Sequence, residues 1–484
     1  MSEIHAQTVP FLRETMLPPA PPPARQAGAV RWLRENLFSG PLNTVLTVLG
    51  VLIVWSLLRT AWPWLSHSVW HADSLRECRS IIAASFGEGT TGACWAMLRE
   101  RWNQFTFGFY PPALYWRPVL AFALLFVALT PVLFSERAAN RRIILAISGG
   151  LGLALSWGFG APVPALALLA AVLVLAVALS ETGVGRMLVL TALYPAVAYW
   201  LLWGGSIWGP LLTVLGFGIG YGLLRLLANR AFILAVVVAV LATVLWWLYA
   251  VAPIARDLGN LMPLGLARVT SDQFGGFLLS ITIGVAGIAM SLPLGIILAL
   301  ARRSDMPLVK MFAVMFIEFI RGVPLIALLF VASLLLNYFL PPGTSFDIIL
   351  RVVIMVTLFA AAYMAEVIRG GLAALPKGQY EAADALGLDY WKAQRLIILP
   401  QALKISIPGI VSTFIGMFKD TTLVTFVGLY DPLKAMSDTV RASIEWKGIY
   451  WEPYIFVGVV FFILCFGMSR YSMFLERRLK RDHH

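Results

Sequence analysis

Apolar runs long enough to cross a membrane recur along most of this chain, and that recurrence limits its possible folds more than any other feature. A helix rising 1.5 Å per residue covers the roughly 30 Å of hydrocarbon in about 20 residues. Such runs fall near 42–60, 118–134, 143–158, 164–180, 187–203, 209–225, 231–250, 277–301, 311–339, 350–368, 403–420 and 453–471. The expected fold is an all-α integral membrane protein of about twelve transmembrane helices. Composition agrees, since 60% of the 484 residues are hydrophobic, 13% are charged and the mean hydropathy is +0.82, outside the range of a soluble globular chain. The opening segment 1–41 is polar and proline-rich ("MLPPAPPPAR"), which does not read as a secretory signal.

A net charge of +12 would suggest nucleic acid in a soluble protein. Here it serves as a test of orientation, because basic residues stay on the cytoplasmic side. With the N-terminus inside, the segments 1–41, 135–142, 181–186, 225–230, 302–310, 369–404 and 470–484 carry Lys and Arg at about twice the density of the outside segments. The basic excess is then a topology signal and implies no nucleic-acid partner. Residues 1–41 and 477–484 are expected to be cytoplasmic tails, and 61–117 an outer loop.

The spans form two blocks. Residues 42–273 hold about seven spans with short connections, few charges and close glycine spacings such as "ISGGLGLALSWGFG" (147–160) and "GFGIGYG" (216–222), a pattern that marks tight helix packing. Residues 274–476 hold five spans with longer polar connections, and function is sought there. In that block Tyr380 to Leu403 reads "YEAADALGLDYWKAQRLIILPQAL". Pro376 suits a first helical position and Gly387 a C-terminal cap, so 376–387 reads as one short helix. Asp389 can cap a second, 390–399, which stops at Pro400. The pair reads as a helix-turn-helix outside the bilayer, with Ala382 and Ala383 offering a face free of bulky side chains to a cleft on another protein.

The spacing is specific: Glu381-Ala382-Ala383, three residues, Gly387, nine residues, Ile397, one residue, Leu399-Pro400. It resembles the EAA loop of the permease subunits of bacterial ABC importers. "EFIRGVPLIALLF" (318–330), "AAYMAEVIRGGLAALPKGQYEAADALGL" (361–388) and "FKDTTLVTFVGL" (418–429) are similar, in the same order, to segments of the polar amino acid uptake branch. The extra N-terminal spans fit the long permease type of general L-amino acid transporters. Val323 and Thr422 stand where the branch often has Thr and Ser.

The resemblance implies a type I ABC importer permease core in residues 274–476, with the loop 369–404 docking into an ATPase through Tyr380, Glu381, Ala382, Ala383, Leu386, Gly387, Leu388, Ile397 and Pro400. It further implies a second permease subunit, a cytoplasmic ATPase dimer and a periplasmic amino-acid-binding protein. The location would be a bacterial inner membrane, with both termini cytoplasmic and 61–117 periplasmic. No Gly-Lys dipeptide occurs in the chain, so it contains no phosphate loop of the G-x-x-x-x-G-K-[ST] kind. The chain is therefore expected to be no enzyme and to bind no cofactor itself, ATP and Mg being used by the partner ATPase.

Ionisable groups at apolar depth need a partner or a wet path. Glu318 and Arg321, and Glu366 and Arg369, share an E-x-x-R-G pattern, and i, i+3 spacing lets each pair meet on one helix face. Glu318, Arg321, Glu366, Lys419 and Asp420 are the candidate pathway or gate residues; the alternative is that the glutamate and arginine pairs anchor helix ends at the interface. His67 and His71 have the spacing of a helical metal pair, but no third ligand is evident among the five histidines, so no metal is expected. Cys78 and Cys94 share the outer loop, and a disulfide between them is expected if that side is oxidising; Cys465 lies in the last span. An ion-coupled secondary transporter is the alternative function, but it predicts related halves rather than seven spans plus five. A membrane enzyme would need clustered catalytic groups, and "HADSLREC" (71–78) is a weak candidate.

Overall fold

The structure, a computed structural model, describes residues 28–134, 138–228, 232–335, 338 and 347–481. Most of the expected N-terminal tail, through residue 27, and the last three residues of the basic tail lie outside the described residues. The chain divides into two compact units, one ending at Ala96 and the other beginning at Met97.

The first unit contains α1 (Gly28–Asn36), α2 (Pro41–Ser66) and α3 (Leu75–Phe86). No residue of α2 is buried within the protein, as suits a helix apolar on every face and solvated by lipid. The segment after α2 folds back on its end: the Ala93 amide donates to the Trp64 carbonyl and the Val69 amide to the Ala93 carbonyl, both at 2.8 Å. Ser74 caps α3 through the Glu77 amide, and a disulfide joins Cys78 to Cys94 with their Cα atoms 6.0 Å apart. His67 stacks on Phe86 with ring centres 4.1 Å apart. Among the described residues no three His, Cys, Asp or Glu side chains gather as metal ligands would.

The second unit continues through α4 (Ala96–Phe107), α5 (Trp116–Leu133), α6 (Ala138–Gly158), α7 (Val163–Thr182), α8 (Val184–Trp203), α9 (Trp208–Leu227), α10 (Phe232–Leu245) and α11 (Val251–Leu261). Gly205–Ser206 (β1) pairs antiparallel with Gly265–Leu266 (β2). There follow α12 (Gly276–Arg302), α13 (Pro307–Gly322), α14 (Leu325–Phe330), α15 (Ile348–Ala373), α16 (Lys377–Ala385), α17 (Tyr390–Ala393), α18 (Leu399–Asp420), α19 (Pro432–Ala442) and α20 (Trp451–Arg481).

Among the described residues ten helical stretches are long and apolar enough to span, and eleven if a bent pair counts as one, against the twelve or so expected. The run 143–158 does form a helix, α6, but with Arg141 and Arg142 in its first turns it misses the apolar length of the others. The run 311–339 is not straight: α13 and the stretch Leu325–Leu335 meet at 102°. The break falls at Val323-Pro324, because proline has no amide to continue the ladder and pushes its predecessor into extended backbone, here φ −101° and ψ 132°.

The glycine-rich stretches lie at close helix contacts. A Cβ on Gly152 would meet that of Ala123 on α5, and one on Gly149 the side chain of Leu173 on α7. One on Gly216 would meet Trp246 and Trp247, and one on Gly220 would strike Thr243. The main core combines residues from both blocks, among them Tyr110, Trp116, Phe274, Ile283, Val352, Val356 and Met417. At its edge Gly276 has φ +57° against the Phe105 carbonyl, a position that only glycine fills without strain. A second cluster, with Ala299, Ile317, Met364, Ile368, Leu372, Ile398 and Ala402, sits directly under the 369–404 loop.

Candidate functional site

The loop is built on a sharp stop. After α15, Pro376 (φ −58°, ψ 140°), expected as the first helical residue, stands instead as the N-cap of α16, which begins one position later at Lys377. At the other end Gly387 has φ +66°. Its amide donates to the Asp384 carbonyl (2.9 Å) and the Leu388 amide to the Ala383 carbonyl (3.2 Å), the paired bonds of a Schellman cap. Asp389 then accepts from the Lys392 amide (3.0 Å) and pairs with its ammonium (2.9 Å). The hydrogen bond and charge of Lys392 hold the Asp389 carboxyl below the usual range.

One expectation is corrected here. The second helix does not stop at Pro400: α17 passes through a π-helical turn, Gln394–Ile398, directly into α18, with Pro400 in its first turn. Proline at a helix start removes only an amide that would be unsatisfied there, and the wider turn takes up the bond it breaks. The loop is thus a short helix hung between two spans, the second of which begins within the loop itself.

The structure also separates the named loop residues by face. Glu381, Ala382, Leu386, Gly387 and Pro400 are exposed, Leu386 at 71%, while Tyr380, Leu388 and Ile397 are half-buried. Ala383, expected on the outer face beside Ala382, is buried, because one step along a helix turns a side chain by about 100°. Tyr380 anchors the loop: its hydroxyl accepts from Arg303 Nη1 (3.0 Å) and donates to the Leu372 carbonyl (3.3 Å), and the Arg303 guanidinium lies 5.5 Å over its ring. Gln401 Nε2 donates to Gln379 Oε1 at 2.9 Å.

Beside this anchor lies an ionic cluster that differs from the expected pairs. Glu366 and Arg369 do meet at 3.0 Å. Glu318 instead pairs with Arg302 on α12 (2.8 Å), and the same Arg302 Nη1 is 2.8 Å from Glu366 Oε1. Arg321 turns toward Glu366 (3.8 Å) and lies 5.3 Å over the Tyr363 ring. Arg302 therefore ties α12, α13 and α15 together near the loop. It stood in "ARRSD" (301–305) as one more basic residue at a helix end, and only the partner helices distinguish it. Lys419 and Asp420 lie at the far end of α18, and among the described residues no ion pair joins them to this cluster.

A family model described as the binding-protein-dependent transport system inner membrane component matches residues 291–481. The chain is 58% identical over 474 residues to the glutamate/glutamine/aspartate/asparagine transport system permease protein BztC of Rhodobacter capsulatus, covering 98% of this chain and 99% of that one. It is 34% identical over 464 residues to the inner membrane amino-acid ABC transporter permease protein YhdY of Escherichia coli, covering 95% and 96%. The arginine transport system permease protein ArtQ of Bacillus subtilis is 33% identical over 210 residues, 43% of this chain and 92% of that one. The two long relatives match the N-terminal helices as well as the portion that the family model covers. With its apolar helices and near end-to-end likeness to two such proteins, the chain belongs to the amino-acid ABC transporter permeases, multi-pass inner-membrane components of binding-protein-dependent transport systems.

Proposed function

We propose that this permease forms half of the translocation pathway of an ATP-driven importer of polar L-amino acids, and that ATPase subunits act on it through the 369–404 loop at the cytoplasmic face. The observation that carries the coupling role is mechanical. A helix exposed on its outer side, α16, is pinned at its base to the end of α12 and to α15 through Tyr380, and the tight turn at Gly387 joins it to α17, which runs without a break into α18. Force applied at Leu386 would reach three spans without a flexible link, which is what rigid-element alternating access needs. In this reading the second permease completes the pathway, a periplasmic binding protein delivers the cargo, and hydrolysis of ATP with Mg belongs to the ATPase dimer. Glu318, Arg302, Glu366 and Arg321 form a latch near that face, opened and closed as the loop moves. The likeness to BztC supports glutamate, aspartate and their amides as cargo.

Leu386→Glu tests the coupling role. The side chain is 71% exposed, so the fold bears little of the cost. Docking would lose the burial of a leucine, about 2 kcal/mol or roughly thirtyfold in affinity. The ATPase should fall away during copurification while the permease stays in the membrane. A variant that retains its ATPase and takes up amino acid at the normal rate would remove the loop from the coupling path.

A further inference from the structure

Between the loop and the spans it joins is a cavity of about 280 Å³, lined by the polar Arg303, Tyr380, Asp384 and Gln394 and by apolar residues such as Leu300 and Ile398. None of the Glu366 cluster lines it, and Asp384 stands where it borders the exposed side of the loop. Gln394 is only 6% exposed, yet its Oε1 atom has no hydrogen-bond partner among the described residues. A buried acceptor is normally paired, and one on the wall of a cavity can take its donor from water or from a bound ligand. The Arg303 guanidinium is fixed by the Tyr380 hydroxyl and ring, and with one N–H so engaged its planar fork suits a carboxylate. Asp384 supplies a second acceptor, and no hydrogen bond or ion pair of its carboxylate with another described residue is seen.

We propose that this cavity binds a free α-amino acid, with the carboxylate on Arg303 and the ammonium between Asp384 and Gln394 Oε1. A cation and two acceptors around one small space are complementary to a zwitterion, and neither a simple anion nor a simple amine satisfies both. The volume lies just below the roughly 300 Å³ at which small-molecule sites commonly begin, suited to a molecule of about ten non-hydrogen atoms. The three recognition groups stand on three elements: just past α12, on α16, and in the π turn leading to α18. A bound amino acid ties them together and resists their relative motion, so cargo accumulated on that side slows the transporter. The inhibitory part rests on the coupling role proposed above; the binding part does not.

Equilibrium dialysis of L-glutamine against the full-length permease in detergent, with the subunits that copurify and without binding protein, separates the two. The expected result is saturable binding, weakened at least about tenfold by Asp384→Asn through loss of one charge-assisted contact. Gln394→Leu should weaken it likewise, and glutaramate, which lacks the α-ammonium, should compete poorly. Asp384 is exposed, so its variant tests the site even if the Gln394 variant misfolds. No binding by the wild type, binding untouched by Asp384→Asn, or equal competition by glutaramate would overturn the assignment, the second by placing the ligand elsewhere in the protein. ATPase activity in the same preparation should fall as glutamine is added, and an unchanged rate with the site filled would overturn the inhibitory role alone.

Discussion

Gly387→Asp separates coupling from folding. Gly387 has φ +66°, where a side chain costs about 1 kcal/mol of backbone strain, with Asp among the residues that tolerate it best. Nothing lies within 4 Å of the position a Cβ would take, so no clash adds to that figure. Against the roughly 5–15 kcal/mol that holds an ordinary domain together, the loss is small, and the protein should reach the membrane in normal amount. The cost falls on the partner. The new carboxylate stands beside exposed Leu386 and between Asp384 and Asp389, making the tip more anionic and bulkier where an ATPase would sit. In proteoliposomes with ATPase subunits and binding protein, amino acid uptake should fall, and ATP hydrolysis should lose its response to loaded binding protein. Gly387→Ala carries similar strain without the charge and should retain more of both. Wild-type uptake and stimulation in Gly387→Asp would refute the coupling role, and a variant absent from the membrane would refute the small strain estimate.

Arg302→Gln should lower the thermal midpoint of the purified protein more than Arg369→Ala does. Arg302 is the less exposed of the two (21% against 44%) and meets two carboxylates, so its loss costs about 2 kcal/mol against less than about 1; the reverse order would show that Arg302 is not the hub. Cys78 and Cys94 enclose a short loop (sequence separation 16), for which a bridge stabilises by roughly 3 kcal/mol in the chain-entropy account. Mass spectrometry of unreduced peptides from native membranes should find them joined, and two free thiols there would contradict it. Reporter fusions after Arg142 and Lys392 should read cytoplasmic and one within 76–100 periplasmic; an outside signal at Lys392 would remove both the topology and the coupling role.

The sequence by itself determined where most of the spans lie, because a run of some 20 apolar residues has few alternatives to crossing hydrocarbon as a helix. It also settled the cap at Gly387 and the start at Asp389, since both depend on contacts within five residues along the chain. Wherever the outcome depended on another helix, local reading stopped short. The Glu318–Arg321 pair looked sound by spacing, but Arg302 on α12 presents its guanidinium to Glu318 and Glu366 at 2.8 Å each, and a short ion pair outcompetes a merely permitted one. Pro400 read as a helix end because a π turn cannot be foreseen from a proline alone, and Ala383 read as outward because its burial comes from packing against neighbours distant in sequence. The Gln394 pocket was invisible for the same reason. Its walls come from three elements brought together only by the fold, and an unpartnered oxygen is a property of the space around a side chain rather than of the residue.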